Sequence, residues 1–338
     1  MAGNFWLSSH CQQWLFDRQD LQRDRQIDYA VLTEDEYQKI LIFYAGVIQA
    51  IGEQLKIKQQ VVATATVYFR RFYTRNSLKS IDPLLLAPTC LYLASKVEEF
   101  GVISNSRFST VCQNIGKANQ GSNRLNNQFD PVVTSLLLAF EFTVKNKYGF
   151  AFQQEFPYKI NNIFECEFYL LEMMDCCLIV FHPYRPLVQY CQDLGASLDK
   201  KEPAQMDAIL QMAWKTVNDT LRTDLSLLYP PYLIALACLQ IACLTLQKDF
   251  KQWFAELNID LEKMMEIVKV ILNLENRTLS RDQLIPTDFS LELHLFVHRV
   301  FYNPVLKSFT ACGSTLLSIF PSRWIRLLST VSASAGCC

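Results

Sequence analysis

Pro83-Leu84-Leu85-Leu86-Ala87-Pro88-Thr89-Cys90-Leu91-Tyr92-Leu93-Ala94 is answered, 148 residues later, by Pro231-Tyr232-Leu233-Ile234-Ala235-Leu236-Ala237-Cys238-Leu239-Gln240-Ile241-Ala242. Pro83, Ala87, Cys90, Leu91 and Ala94 recur as Pro231, Ala235, Cys238, Leu239 and Ala242. Proline suits a first helical position, where its missing N–H would be unpaired anyway. The small residues then fall three, four and seven apart, on one helical stripe. A stripe that slim lets neighbouring helices approach to the short end of the ~8–10 Å interaxial range. Two copies of one helical domain, each crowded around a central helix, explain the pattern. The alternative is chance similarity between two buried helices rich in Ala, Leu and Cys.

The totals agree with two domains. The chain has 338 residues, half of them hydrophobic and 12% aromatic, enough for two cores at ~100–200 residues each. With 32 basic and 33 acidic residues the net charge is −1, without the basic surplus of a nucleic-acid binder. The 12 cysteines include no C-x-x-C pair and no Cys/His zinc spacing. Cys90, Cys166, Cys238 and Cys243 sit inside apolar runs as small hydrophobes, and the Cys176-Cys177 pair reads as core. No signal segment and no uncharged run of ~18 apolar residues are visible, so a reducing compartment and no membrane are expected.

Working outward, residues 1–25 alternate aromatics and charges and read as a short amphipathic N-terminal helix. Thr33 and Glu36 form a capping box ahead of an apolar face of Tyr37, Ile40, Leu41, Tyr44, Val47, Ile48 and Ile51. A second helix covers 59–75, and Asp82 caps a third in which Pro88 predicts a bend or a ragged first turn. Asn114 to Gln128 reads as loop, Asp130 as a possible helix start running to Phe142, and Pro157 to Met174 as a closing helix. Further helices are expected near 203–222, 231–247, 249–257 and 260–274. With almost no period-2 alternation the class is all-α: two bundles of about five helices, the first over 33–174, the second over 182–275. The tail 276–338 has scattered apolar clusters and weak helix signals.

No catalytic or phosphate-cradling motif is present, and only 10 glycines occur. His294 and His298 have a metal-capable i,i+4 spacing without a third ligand, so no metal and no cofactor are expected. The residues that break local rules are charged. Lys96 suits a helix C-terminus, but Glu98 and Glu99 oppose the dipole there by roughly 0.3–1 kcal/mol each. Glu167 occupies the missing slot of an apolar stripe formed by Ile160, Ile163, Phe164, Phe168 and Leu171. It is either paired, with Lys96 the natural candidate, or on a solvated stripe edge. Trp214, Asn218 and Asp219, followed by Arg222, Thr223 and Asp224, form either a polar–aromatic docking face or a core tryptophan beside an exposed helix end.

Leu93-Ala94-Ser95-Lys96-Val97-Glu98-Glu99 resembles the signature of the cyclin box, and Glu167 in Glu165-Cys166-Glu167-Phe168 falls where cyclins carry that lysine's acidic partner. Met1 to Trp6, Ser77 to Pro83, Ala87 to Cys90, Met174 to Val180, Val217 to Thr220 and Gln252 to Leu257 resemble the branch of the cyclin family that serves the Mediator kinase module. The similarity covers about 1–107 and 147–275; an insertion at about 108–146 and the tail depart from it. The resemblance implies two tandem five-helix cyclin boxes with an extra N-terminal helix and no catalysis by this chain. It implies activation of cyclin-dependent kinase 8 or its paralogue, association with Mediator subunits 12 and 13, regulation of RNA polymerase II transcription, and a place in the nucleus. Lys96, Glu99 and Glu167 would bind the kinase. Trp6 and Glu98 would contact the kinase and Mediator subunit 12, and Trp214, Asn218 and Asp219 would line an inter-box groove. Two other readings stand beside it: a two-box cyclin-fold general transcription factor binding promoter DNA, which predicts a basic face, and a helical-repeat scaffold, which needs three or more short units.

Overall fold

The computed structural model describes residues 3–101, 103–118, 156–196, 203–248, 250–257 and 259–278. These lie within one unit, Met1–Gln283; the second unit, Leu284–Cys338, falls outside the described residues, and with it His294 and His298. Among the described residues the regular structure is helical, without a strand.

The N-terminal arm is a 3-10 turn, Phe5–Leu7, then α1 Ser9–Gln13, α2 Arg18–Asp24 and α3 Gln26–Tyr29. It is three short helices rather than one, because its aromatics face different neighbours. Trp14 is fully buried, with Arg71 and Arg75 stacked over its ring at 4.9 and 4.3 Å. Phe5 packs edge-on against Phe181. The first bundle is α4 Glu34–Leu55, α5 Gln59–Arg75, α6 Pro83–Val97, α7 Asn105–Ala118 and α8 Ile160–Met173. The second is α9 Tyr184–Ala196, α10 Pro203–Thr220, the single turn α11 Leu225–Leu228, α12 Pro231–Thr245, α13 Lys251–Glu256 and α14 Leu261–Thr278.

The repeated stretch forms the centre of each bundle. α6 packs against α4, α5 and α8; α12 packs against α9, α10 and α14. Ala87, Cys90, Leu91 and Ala94, and likewise Ala235, Cys238, Leu239 and Ala242, are completely buried. The repeat extends beyond the matched letters. Each helix has fifteen residues. Each ends in a left-handed residue, Glu99 (φ 51°) and Gln247 (φ 54°), again 148 apart. The N–H of the following residue bonds five residues back, Phe100 to Ser95 O and Lys248 to Cys243 O. This is the Schellman cap, which satisfies the last carbonyls of a helix.

Local signals act as read at several points. Thr33 and Glu36 exchange both capping-box hydrogen bonds. The Asp82 carboxylate accepts from Leu84 N–H at 2.8 Å. Pro88 differs from its reading: instead of a ragged first turn, α6 runs unbroken from Pro83 to Val97, and the Thr89 hydroxyl donates to Leu85 O beside the carbonyl that Pro88 leaves without its helical donor. Gly52 allows α4 and α5 to cross closely, since a Cβ there would lie 2.5 Å from Val62 Cγ2.

Three further expectations need correction. The segment from residue 108 begins as core helix, not insertion, and Asn114 is still helical: Phe108, Val111 and Cys112 anchor α7 by its apolar stripe. The remainder, including Asp130 to Phe142, lies outside the described residues. Cys176 is exposed and Cys177 half-buried, because the chain turns there through two left-handed residues, Asp175 and Cys176, instead of continuing the helix. The second bundle runs past 275, since α14 extends to Thr278; residues 279–338 are not described.

α5 lies between the bundles and is buried on every side from Val61 to Thr74. Ala63 belongs to the core of the second bundle, and Arg70 reaches Leu221 O at 3.0 Å. Asp224 completes the seam. Its carboxylate accepts from Arg25 Nη1 (2.7 Å) and Nη2 (3.0 Å), Arg70 Nη1 (2.8 Å) and Gln38 Nε2 (2.8 Å). Burial acts to raise the Asp224 carboxyl, but Arg25 and Arg70 outweigh it and hold the group well below the usual carboxylate range. One side chain therefore ties the arm, α4 and α5 to the second bundle.

Candidate functional site

The charged end of α6 meets α8. Lys96 Nζ donates to both oxygens of Glu167, at 2.8 and 2.7 Å, and lies 4.4 Å from the centre of the Tyr92 ring. Tyr92 is itself fixed between Phe108 and Phe164. The Glu167 side chain is 10% exposed and that of Lys96 50%. The pair is thus a carboxylate sunk in the α6–α8 seam, held by a lysine whose other side is open to solvent. Glu167, the carboxylate that interrupts the apolar stripe, is thus paired, and its partner is Lys96.

The second bundle serves as an internal control. On α8 the buried positions are Ile163, Cys166, Glu167 and Leu170; Met264, Ile267, Val268 and Ile271, each 101 residues later, are buried on α14, which buries Leu274 as well. Lys96 corresponds to Leu244 and Glu167 to Val268. The second copy carries apolar residues at the positions of the ion pair, Val268 buried and Leu244 half-buried, so the repeated fold does not require charges there. A buried pair is in any case weak evidence for stability, because desolvation offsets much of the attraction.

Phe168 was placed on the apolar stripe of α8, and the structure corrects this: Phe168 is 72% exposed and Tyr169 58%. The buried stripe is centred on Ile163, Cys166, Glu167 and Leu170, rotated from the one read in the sequence. Its apolar spacing was ambiguous because α8 carries large apolar residues on both faces. With Met173, Phe168 and Tyr169 form an exposed apolar strip beside Glu167. Sequence reasoning missed the strip; the signal was an α8 too apolar for one buried face.

The other site residues divide. Glu99 is exposed at the left-handed cap of α6, beside the pair. Glu98 turns the other way: its carboxylate accepts from Gln60 Nε2 (2.7 Å) and Thr64 Oγ1 (2.6 Å). Thr64 Oγ1 lies 2.7 Å from His182 Nε2. With the threonine proton directed to Glu98, His182 Nε2 carries the hydrogen in this chain. Glu98 is thus joined to the inter-bundle segment. Trp6 is 58% exposed, its ring against Tyr232 of α12. Trp214 stacks on Tyr184 at 4.8 Å, and the Tyr184 hydroxyl donates to Asn218 Oδ1 at 2.8 Å, so Tyr184 is a shared partner that sequence reading overlooked. Asp219 points to Arg222 at 3.8 Å. No group of His, Cys, Asp and Glu among the described residues could hold a metal ion.

The comparisons with known proteins agree with this architecture. The family model for the cyclin N-terminal domain matches residues 10–179, and that for the cyclin C-terminal domain matches residues 182–278. Over 275 residues the chain is 59% identical to Cyclin-C of Drosophila pseudoobscura pseudoobscura, covering 81% of this chain and 89% of that one. Cyclin-C of Rattus norvegicus is 55% identical over 274 residues, covering 81% and 84%. Among solved structures, a chain of the yeast TFIIK (Kin28/Ccl1/Tfb3) complex superposes with a TM-score of 0.56 at 24% identity, covering 80% of this chain and 99% of that one. A chain of the Chaetomium thermophilum CAK complex bound to ATP-gamma-S gives a TM-score of 0.56 at 20% identity, covering 92% and 89%. At such identities the structural likeness is one of fold.

Proposed function

The chain belongs to the cyclin family, and we propose that it is the non-catalytic regulatory subunit of a cyclin-dependent kinase acting on RNA polymerase II transcription. The observation that carries this reading is the Lys96–Glu167 pair, present in the first box and replaced by Leu244 and Val268 in the second. Charges that the fold can do without are kept where an exposed apolar strip of Phe168, Tyr169 and Met173 adjoins them. That surface suits a helix with apolar and polar faces.

The action is a population shift. A kinase is active when a glutamate of its regulatory helix pairs with the lysine that holds ATP. A rigid partner that binds only that arrangement favours it by its differential affinity. In this reading Lys96 and Glu167 fix the polar register, Glu99 adds a negative charge at the edge, and the strip supplies buried apolar area.

The 55–59% identity to proteins named Cyclin-C supports a finer assignment. The kinase is cyclin-dependent kinase 8 or its paralogue, the assembly includes Mediator subunits 12 and 13, and the location is the nucleus. Trp6 and the Trp214–Tyr184–Asn218 cluster are candidate contacts to the other subunits. Glu98, engaged with Gln60 and Thr64, contributes by shaping the end of α6. The test is reconstitution with purified kinase 8: peptide phosphorylation should depend on this chain and fall at least tenfold with a Lys96→Ala, Glu167→Ala double variant. Undiminished activity with that variant would overturn the assignment of the pair.

A further inference from the structure

Tyr92 stands one helical turn before Lys96 on α6, on the same face. Its ring meets the Lys96 ammonium, whose Nζ lies 4.4 Å from the ring centre. We propose that Tyr92 is a positioning residue for kinase docking, holding that ammonium in the direction from which a kinase takes it. The inference rests on the kinase reading of the Lys96–Glu167 pair and adds the group that aims it.

The need for such a group follows from the lysine itself. Its side chain is 50% exposed and carries its charge on a flexible four-carbon stem. Ordering a stem of this kind on association is costly, and a stem already ordered in the free protein avoids the loss. Two of the three ammonium N–H groups go to the Glu167 oxygens, at 2.8 and 2.7 Å. The ring face attracts the cation from a second direction. The open side of the ammonium is then left for an acceptor on a partner.

The ring can do this because it is itself held in place. Phe108, completely buried on α7, stands 5.5 Å from it, centre to centre, and Phe164 of α8 stands 5.3 Å from it. Support thus runs from the core through Phe108 to Tyr92, and from there to the lysine at the surface. The second box shows that the repeated fold alone does not call for the ring. Its equivalents of Tyr92, Lys96 and Glu167 are Gln240, Leu244 and Val268. Gln240 is 9% exposed, and its Oε1 has no hydrogen-bond partner among the described residues. Where the charge pair is absent, the aromatic ring is absent with it.

The test keeps the shape of the ring and removes its attraction for cations. Full-length chains with phenylalanine, trifluorophenylalanine or pentafluorophenylalanine in place of Tyr92 are titrated with purified cyclin-dependent kinase 8, their folding checked by circular dichroism. Tyr92→Phe should bind as the wild type does. Affinity should then fall with each step of fluorination, about two- to fivefold in all. The same series in a Lys96→Leu, Glu167→Val background should be flat. A flat series beside an intact Lys96, or an equal fall in both backgrounds, would make Tyr92 a packing residue and overturn the proposal while leaving the kinase reading standing. Wild-type affinity in the Lys96→Leu, Glu167→Val chain would overturn the kinase reading of the pair, and this inference with it.

Discussion

Lys96 can spare Glu167 more easily than Glu167 can spare Lys96. The lysine is half exposed and falls back on water; the carboxylate, 10% exposed, has nowhere to go. Glu167→Gln should therefore cost under ~1 kcal/mol, and Lys96→Met about 1–3 kcal/mol, discounted from the ~3–5 kcal/mol of a fully buried broken pair because of the exposed lysine. Urea denaturation of the two variants checks the order, and equal costs would contradict it. Asp224→Asn should cost more than either, at least ~3 kcal/mol, since it leaves Arg25 and Arg70 buried without a carboxylate. At this scale Glu167 was legible as a gap in an apolar stripe. Arg70 and Arg71 were not. A 3.6-residue period marks one buried face, and α5 is buried on all of them from Val61 to Thr74, so Arg70 and Arg71 look like ordinary surface residues.

Helix ends carry more of the repeat than the matched letters do. α6 and α12 close on left-handed Glu99 and Gln247, conformations that cost an ordinary side chain roughly 1 kcal/mol and glycine almost nothing. Glu99→Gly and Gln247→Gly should each leave stability unchanged or raise it by up to ~1 kcal/mol, measured by thermal unfolding. If Glu99 faces the kinase as proposed, only its replacement should reduce kinase activation; equal loss or no loss in both would remove Glu99 from the site. Helix positions were readable because capping chemistry is local: Thr33 with Glu36 and Asp82 with Leu84 need no tertiary knowledge. The phase of α8 was not, because its two apolar faces are distinguished only by which one α6 covers.

The molecule is held together along a seam that titrates. His10 accepts the Phe181 N–H at Nδ1, and His182 sits against Thr64. Burial first, then the nearby Arg71 charge, lowers both imidazoles to about 3. The unfolded chain binds these protons near the ordinary value of ~6.5. Stability from the two histidines is therefore present above that value and is lost as pH falls below it toward 3. The urea midpoint should drop between about pH 7.5 and 5, above the range where most carboxylates titrate, and a His10→Gln, His182→Gln variant should show a flatter profile. A midpoint that rises on acidification would contradict the assignment. None of this seam was visible in the sequence, since it joins residues more than a hundred positions apart.

In the proposed function the first box keeps, for a kinase, a charge pair that its fold does not need. Giving the first box the chemistry of the second, by Lys96→Leu with Glu167→Val, separates the two roles. The variant should keep native circular dichroism and a melting temperature at or above the wild type, yet bind purified cyclin-dependent kinase 8 at least tenfold more weakly. Full binding and activation by that well-folded variant would show that the pair serves no kinase.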